Sequence, residues 1–188
     1  MATVVRHRFS VEDYHRMARA GILGEDDRVE LIDGEIVDMA PIGPRHAGTV
    51  KRLADLLSGA LRGRAILSVQ DPVRLGERSE PQPDVALLRP RADYYASGHP
   101  TAADVLLVVE VAETSADYDR QVKVPLYARH GVAEAWLVDL AAGAVEVYRG
   151  PGAGSYGEVR TLGRGETLSP LAFPELTLTV DEILGPER

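Results

Sequence analysis

The 188-residue sequence contains no cysteine. That excludes disulfides, thiolate metal sites and cysteine nucleophiles, and it fits a reducing cytoplasm. Long apolar runs are missing too: none approaches the roughly 20 residues needed to span a bilayer. Met1-Ala-Thr-Val-Val-Arg-His-Arg8 has no apolar centre long enough for a secretory signal. A cytoplasmic protein without membrane attachment is the expectation. Positive charge is scarce, with a net charge of -8, which argues against a generic nucleic-acid binder with its usual basic footprint. Local distribution matters more than the sum. Arg45, Lys51, Arg52, Arg62 and Arg64 share a segment whose only acid is Asp55, while acids gather in Glu25-Asp26-Asp27. Taken alone, that basic segment reads as a solvated helix face. There is no helix-turn-helix or zinc motif, no internal repeat, and no low-complexity tract beyond the glycine-rich stretch Pro151–Gly157. What is present is ordinary for a globular chain, 45% apolar and 27% charged residues. The length suits one domain with a substantial core.

Ser10-Val-Glu-Asp13 reads as a helix cap followed by first-turn acids. Val11, Tyr14, Met17 and Ala18 fall at helical spacing, so a short helix is expected from Ser10 to about Ala20, ended by Gly21 and Gly24. Asp33-Gly34 between the alternating halves of Arg28–Met39 predicts a type I′ hairpin, with Val29, Leu31, Ile36 and Met39 toward the core. Pro44 suits the first position of a helix marked by His46, Val50, Leu53, Leu57 and Leu61, with Gly63 beyond its end. Strands are expected at Ala65–Val69, Val73–Leu75, Asp84–Leu88 and Val105–Val111, with a long loop over Arg89–Ala103. A helix over Asp119–His130, containing Pro125, precedes strands at Glu134–Asp139, Ala144–Tyr148 and Val159–Leu162 and a last helical turn at Val180–Leu184. This order describes an α/β (α+β) sandwich around a mixed sheet, with extra antiparallel strands at both ends.

Two of the apolar runs each carry one acid, Asp84 at the start of Pro83–Leu88 and Glu110 near the end of Val105–Ala112. Runs of this kind make buried central strands. An ionised carboxylate there is costly unless something compensates it, and two in neighbouring strands suggest a shared divalent ion. In metal-dependent nucleases an acid followed two residues later by lysine commonly binds metal and phosphate. Here that position is Ala112, on the same strand face as Glu110. Asp119, Lys123 and Tyr127 lie on one face of the following helix. If that helix packs beside Glu110, Lys123 brings its ammonium into the space Ala112 leaves. Alone, Asp119 and Lys123 would be a surface pair worth about 0.3–0.5 kcal/mol.

Pro83-Asp84, Glu110-x-Ala112 and Lys123 together resemble the PD-(D/E)XK phosphodiesterase superfamily with its lysine displaced to the next helix. More narrowly, the chain resembles the Uma2 family, also called DUF820. The landmarks are Arg28–Glu35, His46, Pro83–Val85, Val109–Val111, Asp119 with Lys123, Tyr127-Ala128 and Gly131–Asp139, in the family's order over nearly the whole chain. Two departures are Ala112–Ser115, where the family commonly shows a Leu-Ser-Pro-Ser-like turn, and Ala135 in place of a common Tyr.

The resemblance implies a restriction-endonuclease-like fold in a single domain over 1–188. Residues 1–40 would form an N-terminal helix and hairpin, 44–139 a nuclease-like core and 140–188 a C-terminal β extension. It also implies a Mg²⁺- or Mn²⁺-dependent endonuclease acting on phosphodiester bonds in DNA or a related substrate. Asp84, Glu110 and the Val111 carbonyl would hold the metal, Lys123 would orient water or stabilise phosphorane charge, and Glu30 and His46 would assist. Hard cations of this kind take oxygen ligands. On the residues alone, Glu30 reads as a solvated strand residue, His46 as a helix-start surface residue, Tyr127 and Trp136 as core, and Asp33 and Asp139 as turn residues. The alternative expectation is a catalytically silent nucleic-acid- or protein-interaction module on the same fold. A homodimer is expected, because strands after Ala144 leave an edge or face to be covered.

Overall fold

The computed structural model describes residues 5–24 and 26–186. Met1–Val4 of the segment weighed as a leader, and Glu25 of the acidic cluster, lie outside the described residues. Helix α1 (Val11–Arg19) starts on a reciprocal cap: Ser10 Oγ accepts from the Asp13 amide at 3.1 Å, and the Asp13 carboxylate accepts from the Ser10 amide. Strands β1 (Val29–Ile32) and β2 (Glu35–Asp38) pair antiparallel around Asp33 and Gly34. Both turn residues have positive φ, 49° and 78°, the pairing a type I′ turn requires. Gly34 has a second reason to lack a side chain. A Cβ there would stand 2.8 Å from Arg8 Cβ.

Helix α2 (Pro44–Leu61) begins with Pro44, as expected, and buries Val50, Leu53, Leu57 and Leu61 along one stripe. Strands β3 (Ile66–Ser68), β4 (Val85–Leu88) and β5 (Val105–Ala112) form one half of a six-stranded sheet. Strands β6 (Glu134–Asp139), β7 (Ala144–Pro151) and β8 (Tyr156–Leu162) form the other half. The order is β3-β4-β5-β6-β7-β8. Only β5 and β6 run parallel, because a helical crossover joins them. A small antiparallel pair, β9 (Thr167–Leu168) with β10 (Leu178–Thr179), leads into α5 (Val180–Leu184). The mixed sheet with extra antiparallel pairs is therefore as expected. The first two strands of the segment read as a β extension continue the central sheet itself.

Val73–Leu75, expected as a strand, is a loop that makes a single bridge, Arg74 to Thr101. Val73 and Leu75 are nevertheless fully buried. Their alternation reflects side chains anchored in the core, while backbone bonds to Pro81 and Ser79 fold the segment back on itself. The crossover starts earlier than spacing suggests. It is an α turn, α3 (Ala116–Tyr118), then a π-helical segment Asp119–Lys123, then α4 (Val124–Arg129). The Val124 amide reaches back to the Asp119 carbonyl. Pro125 follows directly; a proline ring clashes with the carbonyl four residues earlier, and widening the helix relieves that contact.

Alternation on the strands sorts the two sheet faces. Val85, Leu87, Val109, Val111, Trp136 and Val138 pack with α2 and α5 in a largely apolar layer, with buried Glu134, paired to Arg149, on the same face. On the other face Ala86, Val108, Ala112 and Leu137 meet α4 through Val124, Tyr127 and Ala128. Glu110 shares that second face, so its carboxylate projects toward the crossover helix, where Lys123 and Tyr127 meet it.

Candidate active site

A cleft of about 410 Å³ opens at the end of the sheet where β4 begins and β5 finishes. Its lining includes Glu30, His46, Gln70, Gln82, Asp84, Glu110, Val111, Asp119 and Lys123. Glu30, His46, Asp84, Glu110, Val111 and Lys123 thus line one cavity, brought there by two strands, a hairpin, the start of α2 and the π-helical segment.

Lys123 sits at the centre. Its Nζ lies 3.1 Å from Glu110 Oε1 and 3.3 Å from Glu30 Oε2. All three residues are buried. Burial alone would lower the lysine pKa, but Glu110, Glu30 and Asp119 together raise it, so the ammonium stays charged. Tyr127 donates its hydroxyl to the same Glu110 Oε1. The tyrosine is therefore both core and hydrogen-bond partner. Burial pushes the Glu110 carboxyl up to about 8 despite the adjacent ammonium, helped by the negative charges of Asp119 and Asp84. Asp119 is also raised, chiefly by burial, although Ser115 Oγ donates to it at 2.9 Å.

Asp84 has the opposite balance. Burial pushes its carboxyl up, but His46, the Val111 amide and Gln70 outweigh that and hold it below the ordinary value. His46 Nε2 stands 3.0 Å from Oδ2, the Val111 amide donates to Oδ2 at 2.9 Å, and the Gln70 amide donates to Oδ1 at 3.1 Å. Asp84 in turn raises His46, mainly through that contact. His46 occupies the first turn of α2 and is turned inward, with Nδ1 sealed and unpartnered. It is not the surface residue that a helix-start histidine usually is.

Glu30 corrects the reading of the hairpin. All of β1 is buried, because the face opposite Val29 and Leu31 is covered as well. The Gln82 amide donates to Glu30 Oε2 at 3.1 Å, and the Gln82 side chain donates to the Val29 carbonyl. Gln70 and Gln82 were not singled out from the sequence. Gln70 stands in the left-handed region at φ 57°, a cost of about 1–3 kcal/mol usually tolerated where geometry matters. A glutamine before Asp71-Pro72 was the available signal. Asp139, read as a turn residue, caps the Ala142 amide at 2.9 Å and pairs with Arg120 at 2.5 Å. Trp136 is core, fully buried, with its indole N–H on Glu134.

The donor set suits a hard cation. Four acids, Glu30, Asp84, Glu110 and Asp119, converge on the cleft with Lys123 as the ammonium among them. Glu110 lines the cleft, with its Oε1 held by both Lys123 and Tyr127. Asp84 accepts three contacts where a carboxylate offers about four lone-pair sites. The β4–β5 ladder ends at Val85 and Val109, so the Val111 backbone on the β4 side meets the Asp84 side chain instead of a strand. Oxygen donors of this kind match Mg²⁺ or Mn²⁺.

No curated protein matches the chain. Among solved structures, a "putative nuclease belonging to DUF820" from Anabaena variabilis superposes with a TM-score of 0.72 at 15% identity, covering 94% of this chain and 97% of that one. The two share a fold, consistent with the restriction-endonuclease-like architecture of the PD-(D/E)XK superfamily. The family model for Uma2, described as "Putative restriction endonuclease", matches residues 11–181. With nearly its whole length inside that match, the chain belongs to the Uma2 family.

Proposed function

We propose that this protein is a Mg²⁺- or Mn²⁺-dependent endonuclease that hydrolyses phosphodiester bonds in DNA. The observation that carries the reading is the meeting of Asp84, Glu110 and Lys123 in one cleft, with Lys123 held charged beside Glu110. Asp84, Glu110 and the Val111 carbonyl would hold the ion. When bound, the ion supplies Lewis-acid polarisation of the scissile phosphate and a lowered pKa for the attacking water.

In hydrolysis the water oxygen bonds to phosphorus, one P–O ester bond breaks, and a water proton leaves while the departing oxygen gains one. Because Lys123 stays protonated, it serves as a donor and charge stabiliser for the phosphorane oxygens and not as the base. Glu30, the second acid on the Lys123 ammonium, helps position it. His46, Gln70 and the Val111 amide fix the Asp84 carboxylate, a supporting role of the kind that orients metal ligands. Arg28, exposed at the cleft rim, adds a cation where a phosphate backbone would enter.

Incubating supercoiled plasmid with the purified protein and Mn²⁺ tests this. Nicking that disappears in Asp84→Ala and Lys123→Ala is the expected result. Plasmid bound but left intact would favour the catalytically silent module instead. We extend the reading to a homodimer, because the middle of edge strand β8 is exposed and such edges are normally covered. A monomer in light scattering would overturn that extension.

A further inference from the structure

Away from the cleft, three segments not used by the nuclease reading meet at one point: α1, the turn before Pro81, and the end of the loop Arg89–Ala103. His15, Glu80 and His99 each bring a ligand atom within 4.8 Å of the others. Among the described residues no other trio of His, Asp or Glu does so. The acids of the cleft do not close to this distance.

Glu80 is the anchor. It is 2% exposed. Its Oε1 lies 2.7 Å from His15 Nε2, while its Oε2 is sealed from solvent without a hydrogen-bond partner. Among the described residues no lysine or arginine pairs with it. A buried acceptor left without a hydrogen bond is costly, and a bound cation would remove that cost. The two imidazoles meet edge to face, with ring centroids 6.1 Å apart at 67°. The backbone holding the trio is fixed at two of its three points. The Glu80 amide donates to the Leu31 carbonyl at 2.7 Å, and the carbonyl of Pro100, next to His99, accepts from the Arg74 amide at 2.8 Å.

We propose that His15, Glu80 and His99 form a binding site for a zinc-class transition ion, separate from the nuclease centre. Two imidazole nitrogens and one carboxylate suit Zn²⁺, Co²⁺ or Ni²⁺ far better than Mg²⁺ or Ca²⁺, which prefer all-oxygen shells. Three protein ligands leave a fourth position for water. The ion would pin the long loop to α1 and brace the segment running from Glu80 to Asp84. The inference stands whether or not the cleft is a nuclease.

Titration of the EDTA-stripped full-length protein with Co²⁺, followed by visible absorption, and with Zn²⁺, followed by calorimetry, tests it. The expected result is an intense Co²⁺ band and a Zn²⁺ site that persist in the Asp84→Ala/Glu110→Ala double variant. Both should be lost in His99→Ala, with Zn²⁺ affinity falling at least about 100-fold, since losing even an outer partner costs about 10–100-fold. His99 is exposed, so its replacement leaves the fold intact; His15→Ala provides a second variant with the same expected loss. Absence of the band in wild type, its retention in His99→Ala, or its loss in the double variant at the cleft would each overturn the proposal.

Discussion

Lys123 and Glu110 carry the most specific consequences at the scale of single residues. On the proposed mechanism Lys123→Ala removes the charge that would stabilise the transition state, and plasmid cleavage should fall about 100- to 1,000-fold, the cost of losing one preorganised donor. Single-turnover kinetics with saturating Mn²⁺ separate that loss from weaker metal binding. Glu110 sets a pH dependence. Its carboxyl stands at about 8 against an ordinary 4.5, with burial the main cause. Between those values the native state keeps a proton that the unfolded chain has released. Glu110 therefore makes stability fall as pH rises from about 4.5 toward about 8. Thermal melts of metal-free protein at stepped pH should show that decline, and Glu110→Gln should flatten it. A divalent cation held by Glu110, as proposed, would displace the same proton, so Mn²⁺ binding near neutral pH should release protons, visible as a calorimetric enthalpy that changes with the buffer.

Secondary-structure elements decide which of these residues meet. Asp84 and Glu110 were legible because an acid inside a Val- and Leu-rich run contradicts its surroundings, and such contradictions mark sites. Lys123 followed from the empty position at Ala112. The widening of the helix around Asp119–Lys123 was not legible, since helical periodicity assumes a uniform turn and Pro125 signals disruption without its form. Alternation could not show that Glu30 is buried, because the second face of the hairpin is covered by the distant segment through Gln82. Neutral amides such as Gln70 carry no pattern at all. The hairpin offers an element-scale prediction: Gly34→Ala forces a Cβ into the left-handed region and against Arg8. It should destabilise the protein by about 1–3 kcal/mol in chemical denaturation and weaken Mn²⁺ binding through displaced Glu30. Leu53→Ala, buried under the opposite sheet face, should cost about 2–5 kcal/mol while leaving Mn²⁺ affinity unchanged.

At the scale of the whole molecule, the sheet separates two unlike layers. One is an apolar core with α2 and α5, interrupted at the start of β6 by buried Glu134 paired to Arg149. The other mixes apolar packing with the buried charges of the cleft. The β1–β2 hairpin joins the charged side without entering the six-stranded sheet. Beyond its own pairing it is held by the Leu31–Glu80 bridge, by the Gly34 to Arg78 bond, and by side-chain contacts from Gln82, Tyr14 and Lys123. Because it lies outside the six-stranded ladder, the hairpin is expected to open at lower cost than the sheet. Any such opening would part Glu30 from Lys123. Amide hydrogen exchange should show β1 exchanging ahead of β5 and β6, and a divalent cation in the cleft should slow β1 selectively.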